Sequence, residues 1–293
     1  MSIFDRIVCG VDPSPAGMEA LRQAKQLLTP GGRLLAATVY DPTIAVHAGW
    51  RAPSVAAELE REGEETRLTA ARELEGLDDA ETQLLEGSPT RCLLSLARKE
   101  QATLVAVGSH GHTRAAGILL GTVATTMLHE APCAVLVARP VPDAGQFPRS
   151  IVLGADGSPQ SLNAAEVVAE LVERFGSSVR ALAATGGKPV DVNGLLKVQA
   201  LDSRVLVAVR SERAGDRAAR FPILEWSDQQ PVDALLAASA EAELMVLGSR
   251  GVHGLSALGS VSERVAHRAA CSVLVIRPAV FEDPTPDSLK GAA

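Results

Sequence analysis

The sequence predicts an α/β fold made of two repeated domains, each a five-stranded parallel sheet sandwiched by helices. Two observations carry this. Short apolar runs alternate with segments of helical period along the chain, which implies parallel strands joined by right-handed crossovers. The same order of segments, with the same kind of glycine-rich loop, then occurs a second time. A repeat of this size means duplicated domains, because solenoid units are far shorter.

Ile3 to Val11 reads as the first strand and ends at Asp12. Pro13-Ser14-Pro15 forms the turn, with Ser14 as N-cap and Pro15 at the first helical position. Met18, Leu21, Ala24, Leu27 and Leu28 recur at helical spacing and are expected to face the sheet, and Gly31-Gly32 ends the helix. Leu34 to Tyr40 is the second strand. Asp41 to Pro53 reads as an exposed loop whose Trp50 shields an edge or a ligand. Val55 to Leu77 is a charged helix with Leu59, Leu68 and Leu74 as its sparse apolar side; its charge run is most simply a solvated face. The third strand is Thr82 to Leu85, and Gly87-Ser88-Pro89 opens a helix from Thr90 to Lys99.

The stretch from Ala102 to Ala138 organises the domain. An apolar run, Leu104 to Val107, stops at Gly108. Further glycines follow at Gly111, Gly117 and Gly121, then Thr122, a helical segment to His129, Pro132 and a last apolar run, Val135 to Val137. Glycines let N–H groups approach a ligand without Cβ interference, and a helix N-terminus offers unpaired donors and the positive end of a dipole to a phosphate. Ligands of such sheets sit beyond the carboxyl ends of the strands.

The second half repeats the plan. Strand Ile151 to Ala155, helix Ser161 to Phe175 and strand Val179 to Ala184 are followed by a stretch, Gly186 to Phe221, in which helix and strand stay open. Pattern returns with Pro222 to Ser227, helix Val232 to Glu241, strand Leu244 to Leu247 and a glycine loop leading to Ile276. Asp156 answers Asp12, Gly248 answers Gly108, Gly251 answers Gly111, Gly259-Ser260 answers Gly121-Thr122, and Cys271 answers Cys133. The chain therefore divides into domain one at residues 1–140, a linker at 141–148, domain two at 149–278 and a tail at 279–293 that is expected to be disordered.

Composition narrows the function classes. The chain has 293 residues, is 46% hydrophobic with few aromatics, and carries a formal charge of −7. The cores are expected to be built from Ala, Val and Leu. The acidic balance argues against a nucleic-acid surface, and no apolar run reaches the ~18 residues of a membrane span. A cytoplasmic location is expected. Cys9, Cys92, Cys133 and Cys271 show no metal or CxxC spacing and read as buried, reduced thiols. His110 and His112 stand two apart without a carboxylate or cysteine partner, which is poor metal geometry, so no metal site is assigned. His129 and His267 each lie near a helix end, where they suit the dipole.

With these residues in view, the chain resembles a tandem universal stress protein, two UspA-type domains in one polypeptide. The resemblance covers nearly the whole chain except Gly186 to Phe221 and the tail. Its most specific element is the family's ATP-binding loop: G-x-x-G, nine residues, then G-[S/T]. Gly108-Ser109-His110-Gly111 is followed by residues 112 to 120 and then Gly121-Thr122, a full match. The resemblance implies an adenine-nucleotide α-hydrolase-like fold with strand order 3-2-1-4-5. It also implies an adenine nucleotide, ATP with Mg²⁺ or else ADP or AMP, held by loop residues Gly108, Ser109, His110, Gly111, Gly121, Thr122 and Val123. The same resemblance implies that Asp12, at the end of strand one, and the backbone of Val39, at the end of strand two, hold the nucleoside.

In domain two only seven residues, 252 to 258, separate Gly251 from Gly259. That shorter loop must turn tighter, or its helix must begin earlier, so Asp156, Gly248, Gly251, Gly259, Ser260 and Val261 stand as a second site that departs from the family's pattern. In both domains a structural reading stands beside the binding one: the glycines could make a plain turn, the aspartates could cap their own turns, and Thr122 could be only an N-cap.

Two functions from different classes follow. One is a nucleotide-dependent stress-response regulator. The other is a weak ATPase or autophosphorylating enzyme, which the absence of GxxxxGK[ST] disfavours, so no catalytic residue is assigned. A structural module of the same family that binds no nucleotide is the remaining alternative. The apolar fifth strands, Ala134 to Ala138 and Ser272 to Ile276, would be sticky if left open. The family pairs them across a two-fold axis, which implies an intramolecular pseudo-dimer here and a homodimer of chains beyond it.

Overall fold

The computed structural model describes residues 3–111, 120–141, 145–184, 225–227, 229–249 and 258–277. Domain one runs β1 (Arg6–Gly10), α1 (Pro15–Leu27), β2 (Arg33–Tyr40), α2 (Ala52–Glu73), β3 (Ala80–Glu86), α3 (Pro89–Lys99), β4 (Leu104–Gly108), α4 (Thr122–Glu130) and β5 (Ala134–Ala138). Domain two runs β6 (Ser150–Gly154), α5 (Pro159–Phe175), β7 (Ser178–Ala184), β8 (Glu225–Ser227), α6 (Pro231–Ser239), β9 (Leu244–Gly248), α7 (Ser260–Arg268) and β10 (Ser272–Ile276). The stretch from Gly186 to Phe221 that sequence left open, the tail at 279–293 and part of the linker lie outside the described residues.

The strands form one ten-stranded sheet in the order β3-β2-β1-β4-β5-β10-β9-β6-β7-β8. Each half has the expected order 3-2-1-4-5, and neighbours within a half are parallel. The two five-stranded sheets are thus halves of a continuous one. The join is antiparallel, with Val273 opposite Val137, Leu274 opposite Leu136 and Val275 opposite Val135. Both strands are buried at every residue, so the sticky edges close on each other.

Alternation along the strands sends side chains to two cores. Ile7, Cys9, Leu104, Leu136, Ile151 and Leu274 face α1, α2 and α5. Val8, Val105, Val107, Val135, Val152 and Val273 face α3, α4, α6 and α7. The helix starts follow local chemistry. Ser14 accepts the Gly17 N–H at 3.0 Å and Ser158 accepts the Ser161 N–H at 3.2 Å, each followed by proline at the first helical position.

Some expectations needed correction. Asp41 to Pro53 is not an irregular loop: a 3-10 helix, Pro42–Arg51, leads directly into α2. Nothing in the described structure bears on the shielding expected of the Trp50 side chain. The inner face of α2 is Gly63, Thr66 and Ala70, with Leu74 just beyond its end, whereas Leu68 is exposed. Small residues win because α2 lies close to the sheet, and a Cβ on Gly63 would stand 2.9 Å from Leu84 Cδ1. The first strand is shorter than read, and Ile3 and Phe4 are buried ahead of it. Cys9, Cys133 and Cys271 are buried free thiols, while Cys92 is half-buried. Among the described residues, no helix is long and apolar enough to cross a membrane.

Two outcomes test this account. Leu136→Ala, at a fully buried position on the seam, should cost about 2–5 kcal/mol in urea unfolding; a loss below about 1 kcal/mol would mean that the seam is loosely packed. The second concerns alkali. Burial pushes the thiols of Cys133 and Cys271 from 9.0 up to about 12 and about 11. A thiol whose folded pKa is raised keeps its proton longer than in the unfolded chain. Its contribution is therefore whole below pH 9 and falls as pH rises from there towards the folded values. The urea midpoint should drop between about pH 9 and about pH 12, and the Cys133→Ala/Cys271→Ala double variant should drop less.

Candidate functional site

The carboxyl ends of β1, β2 and β4 converge where the sheet order reverses, between β1 and β4. Crevices of this kind are where open α/β sheets take ligands. A cavity of about 320 Å³ opens there, within the roughly 300–1,000 Å³ usual for small-molecule sites. Apolar side chains of Val11, Ala37, Val39, Leu93 and Val107 line one part. Gly108, His110, Gly111 and the first turn of α4 line the other.

Asp12 stands at the rim as the one charged side chain among the described lining residues apart from the titratable His110. Ser14 fixes it: the Asp12 Oδ1 lies 2.5 Å from Ser14 Oγ and 3.3 Å from the Ser14 N–H. The Ser14 hydroxyl also lies 3.1 Å from the His110 carbonyl, and its proton can go to only one of these acceptors. One buried serine thereby ties the end of β1, the start of α1 and the loop after β4 together.

The glycines have separable reasons. A Cβ on Gly108 would lie 2.7 Å from the Ala16 carbonyl carbon, so glycine lets α1 approach the end of β4. At Gly17 a Cβ would fall 2.0 Å from Asp12 Oδ1, so the aspartate occupies space that a side chain would take. Gly121 is different: a Cβ there meets nothing closer than 3.6 Å, and its backbone is ordinary extended. Gly121 is the N-cap of α4 and has no side chain to cap it, so among the described residues no side chain caps the N–H groups of the first turn, Thr122 to Ala124, beside the cavity. Those donors, on the positive end of the helix dipole, can take an anion.

Of the residues singled out in domain one, Asp12, Val39, Gly108, His110, Gly111, Gly121, Thr122 and Val123 all line the cavity. Ser109 lies behind the lining. It is buried, its N–H donates to Ala138 and its carbonyl accepts from Gly121, so it braces the loop against β5 and α4. His112 lies outside the described residues. Sequence reading missed Gly10, Val11, Ala37, Pro89, Leu93, Val107 and Ala124. The Gly87-Ser88-Pro89 turn was the available signal, since it starts α3 at the same sheet edge.

Domain two repeats the junctions with different contents. Gly248 ends β9, a Cβ on it would lie 2.6 Å from the Gln160 backbone, and Gly259 caps α7 without a side chain ahead of Ser260 and Val261. Gly251 lies outside the described residues. Ser161, buried, stands where domain one has Gly17, and Asp156 is exposed and accepts the Ser158 N–H at 3.0 Å. Leu247 replaces Val107 and reaches over the strand next to it, to within 2.5 Å of where a Gly154 Cβ would stand. His129 and His267 sit in the last turns of α4 and α7 as expected, and His129 Nε2 also lies 3.2 Å from Glu263 Oε1 of the other domain.

Comparison with known proteins agrees with this architecture. A family model described as the universal stress protein family matches residues 3–139 and again 148–277. A universal stress protein of Mycolicibacterium smegmatis is 31% identical over 211 residues, spanning 68% of this chain and 69% of that one. Another, from Mycobacterium tuberculosis, is 31% identical over 222 residues, 71% of this chain and 73% of its own. The crystal structure of a universal stress protein from Archaeoglobus fulgidus DSM 4304 superposes with a TM-score of 0.68 at 19% identity, covering 94% of this chain and 98% of that one. At that identity the likeness speaks for the fold.

The role given to Ser14 can be checked. Ser14→Ala removes the cap of α1 and the bridge to Asp12 and His110, and should cost about 1–2 kcal/mol in urea unfolding. Ser158→Ala, which loses only a cap, should cost less; equal losses would mean that the bridge adds nothing.

Proposed function

The chain belongs to the universal stress protein family, and from that premise we propose that the domain-one cavity binds an adenine nucleotide, ATP first, and that the protein acts as a nucleotide-dependent stress-response regulator. The observation that carries this is the pairing of an apolar slot with an uncapped helix start in one cavity, with a carboxylate at its rim. An adenine ring fits the slot between Ala37, Val39 and Leu93, with the Val39 backbone at the base edge. The phosphates lie over Gly108 to Gly111 and the first turn of α4, and Asp12 faces the ribose hydroxyls. Phosphate charge is met by backbone donors, because the described lining holds no lysine or arginine. Mg²⁺ accompanying a triphosphate finds in Asp12 the carboxylate of that lining; ADP and AMP are accommodated without it.

Binding rather than catalysis is favoured by what surrounds the groups that could take a proton. Asp12 is engaged by Ser14, and the His110 ring lies 3.0 Å from the Ser109 hydroxyl. Domain one is favoured over domain two because its loop has the full nine-residue spacing. The same reading takes the protein to be cytoplasmic and to associate further as a homodimer of pseudo-dimeric chains.

Nucleotide released from the purified, denatured chain, together with ATP titration by calorimetry, tests this. About one adenine nucleotide per chain is expected. Gly121→Val should abolish it: the backbone there suits valine and the first Cβ meets no clash, so the added methyls intrude on the phosphates rather than on the fold. A wild-type chain that neither carries nor binds an adenine nucleotide would overturn the reading in favour of a structural module.

A further inference from the structure

We infer that Arg277, a residue of domain two, is a positioning residue for the domain-one cavity and acts through α4. This rests on the nucleotide reading above. The first turn of α4, Thr122 to Ala124, lines the cavity. At its other end the Leu128 carbonyl accepts a hydrogen bond from Nη2 of Arg277, which directly follows β10. Beside it His129 meets Glu263 of α7. A single nine-residue helix, about 13 Å long, therefore has a ligand-facing end in one domain and an end held by the other.

Arg277 is 6% exposed and no carboxylate pairs with it among the described residues. Its Nε is buried without a hydrogen-bond partner, which is unfavourable for a cation. What compensates the charge is the negative end of the α4 dipole. A short helix is marginal by itself and is ordered by what satisfies its ends. Phosphate at the N-terminus and guanidinium at the C-terminus stabilise the same dipole and the same ordered helix. Each therefore favours the other, and the coupling is reciprocal. The pseudo-symmetric partner confirms that the placement is built into the fold: Arg139, 8% exposed, donates from Nη2 to Ala266 at the end of α7 at 2.5 Å and from Nη1 to Cys271 at 3.1 Å. Arg139 caps the helix of domain two, and among the described residues its guanidinium hydrogen bonds go to Ala266 and Cys271 rather than to α4.

The test is ATP titration of the full chain, following the site that Gly121→Val removes. Arg277→Met, which keeps length but loses the charge and its donors, should weaken that site by about three- to tenfold. Arg277→Lys should restore most of the affinity, because a point charge still caps the helix end. Arg139→Met should leave domain-one affinity unchanged while perturbing the seam comparably. Unchanged affinity in Arg277→Met, or equal weakening by Arg139→Met, overturns the inference, the second because it would mean general loosening of the seam.

A measurement that needs no substitution of Arg277 guards against misfolding. In a Gly259→Val background, which takes domain two out of the reading, ATP should slow amide exchange in the last turn of α4 and across residues 272–277. Slowing confined to residues 108–124 overturns the inference. A wild-type chain that takes up no ATP overturns the nucleotide reading itself, and is recognised before any variant is compared.

Discussion

Everything in this molecule depends on closing one sheet edge against another. β5 and β10 are short, fully buried strands, apolar but for Ser272, and either would expose a row of unpaired backbone groups beside valine and leucine side chains if its domain stood alone. Antiparallel pairing through Leu136 and Leu274 removes both edges at once and makes a continuous sheet with helices on both faces. The two hydrophobic layers then run across both halves rather than stopping at the domain boundary.

Three of the polar links between the halves share a pattern: an arginine from one half meets the carbonyl end of a helix in the other. Arg277 reaches α4, Arg139 reaches α7, and Arg174, in the last turn of α5, donates to the carbonyls of Gln26, Leu27 and Leu28 at the end of α1. Burial lowers the pKa of all three guanidiniums, yet arginine starts so high that each stays charged. Helix ends need acceptors satisfied anyway, so the same bonds serve the helix and the join. Ser272, whose hydroxyl lies 3.0 Å from the Arg139 N–H and 3.3 Å from its carbonyl, adds a further bond across the seam.

Much of the fold was legible because its signals are local and redundant. Ser14-Pro15 and Ser158-Pro159 announce helix starts, the alternation of apolar runs announces a parallel sheet, and the duplication lets each half check the other. The face of α2 was not legible. Leucines dominate periodicity scales, but the approach of α2 to the sheet selects Gly63, Thr66 and Ala70, which carry almost no hydrophobic signal. In the site, the glycine loop and Asp12 stood out because glycine and aspartate have narrow uses at such junctions. The apolar half of the cavity did not, because Ala37, Leu93 and Val107 look like any core residue until the sheet order sets β2 and β4 on either side of β1, with Leu93 of α3 packed over them. The cross-domain role of Arg277 was equally invisible, since nothing near it in sequence indicates a helix end in the opposite half.

Joining the two halves by a short connection between β5 and β6 has a consequence for divergence and for dilution. In a dimer of identical subunits every substitution appears twice, so a change that suits one cavity is imposed on the other. Here Gly17 and Ser161, or Val107 and Leu247, differ freely, and one half can specialise while its twin supplies the closing strand and the arginine. The tether also makes the pairing unimolecular, with an effective concentration set by chain geometry rather than by cellular abundance. The seam between the halves should therefore stay assembled at any level of expression.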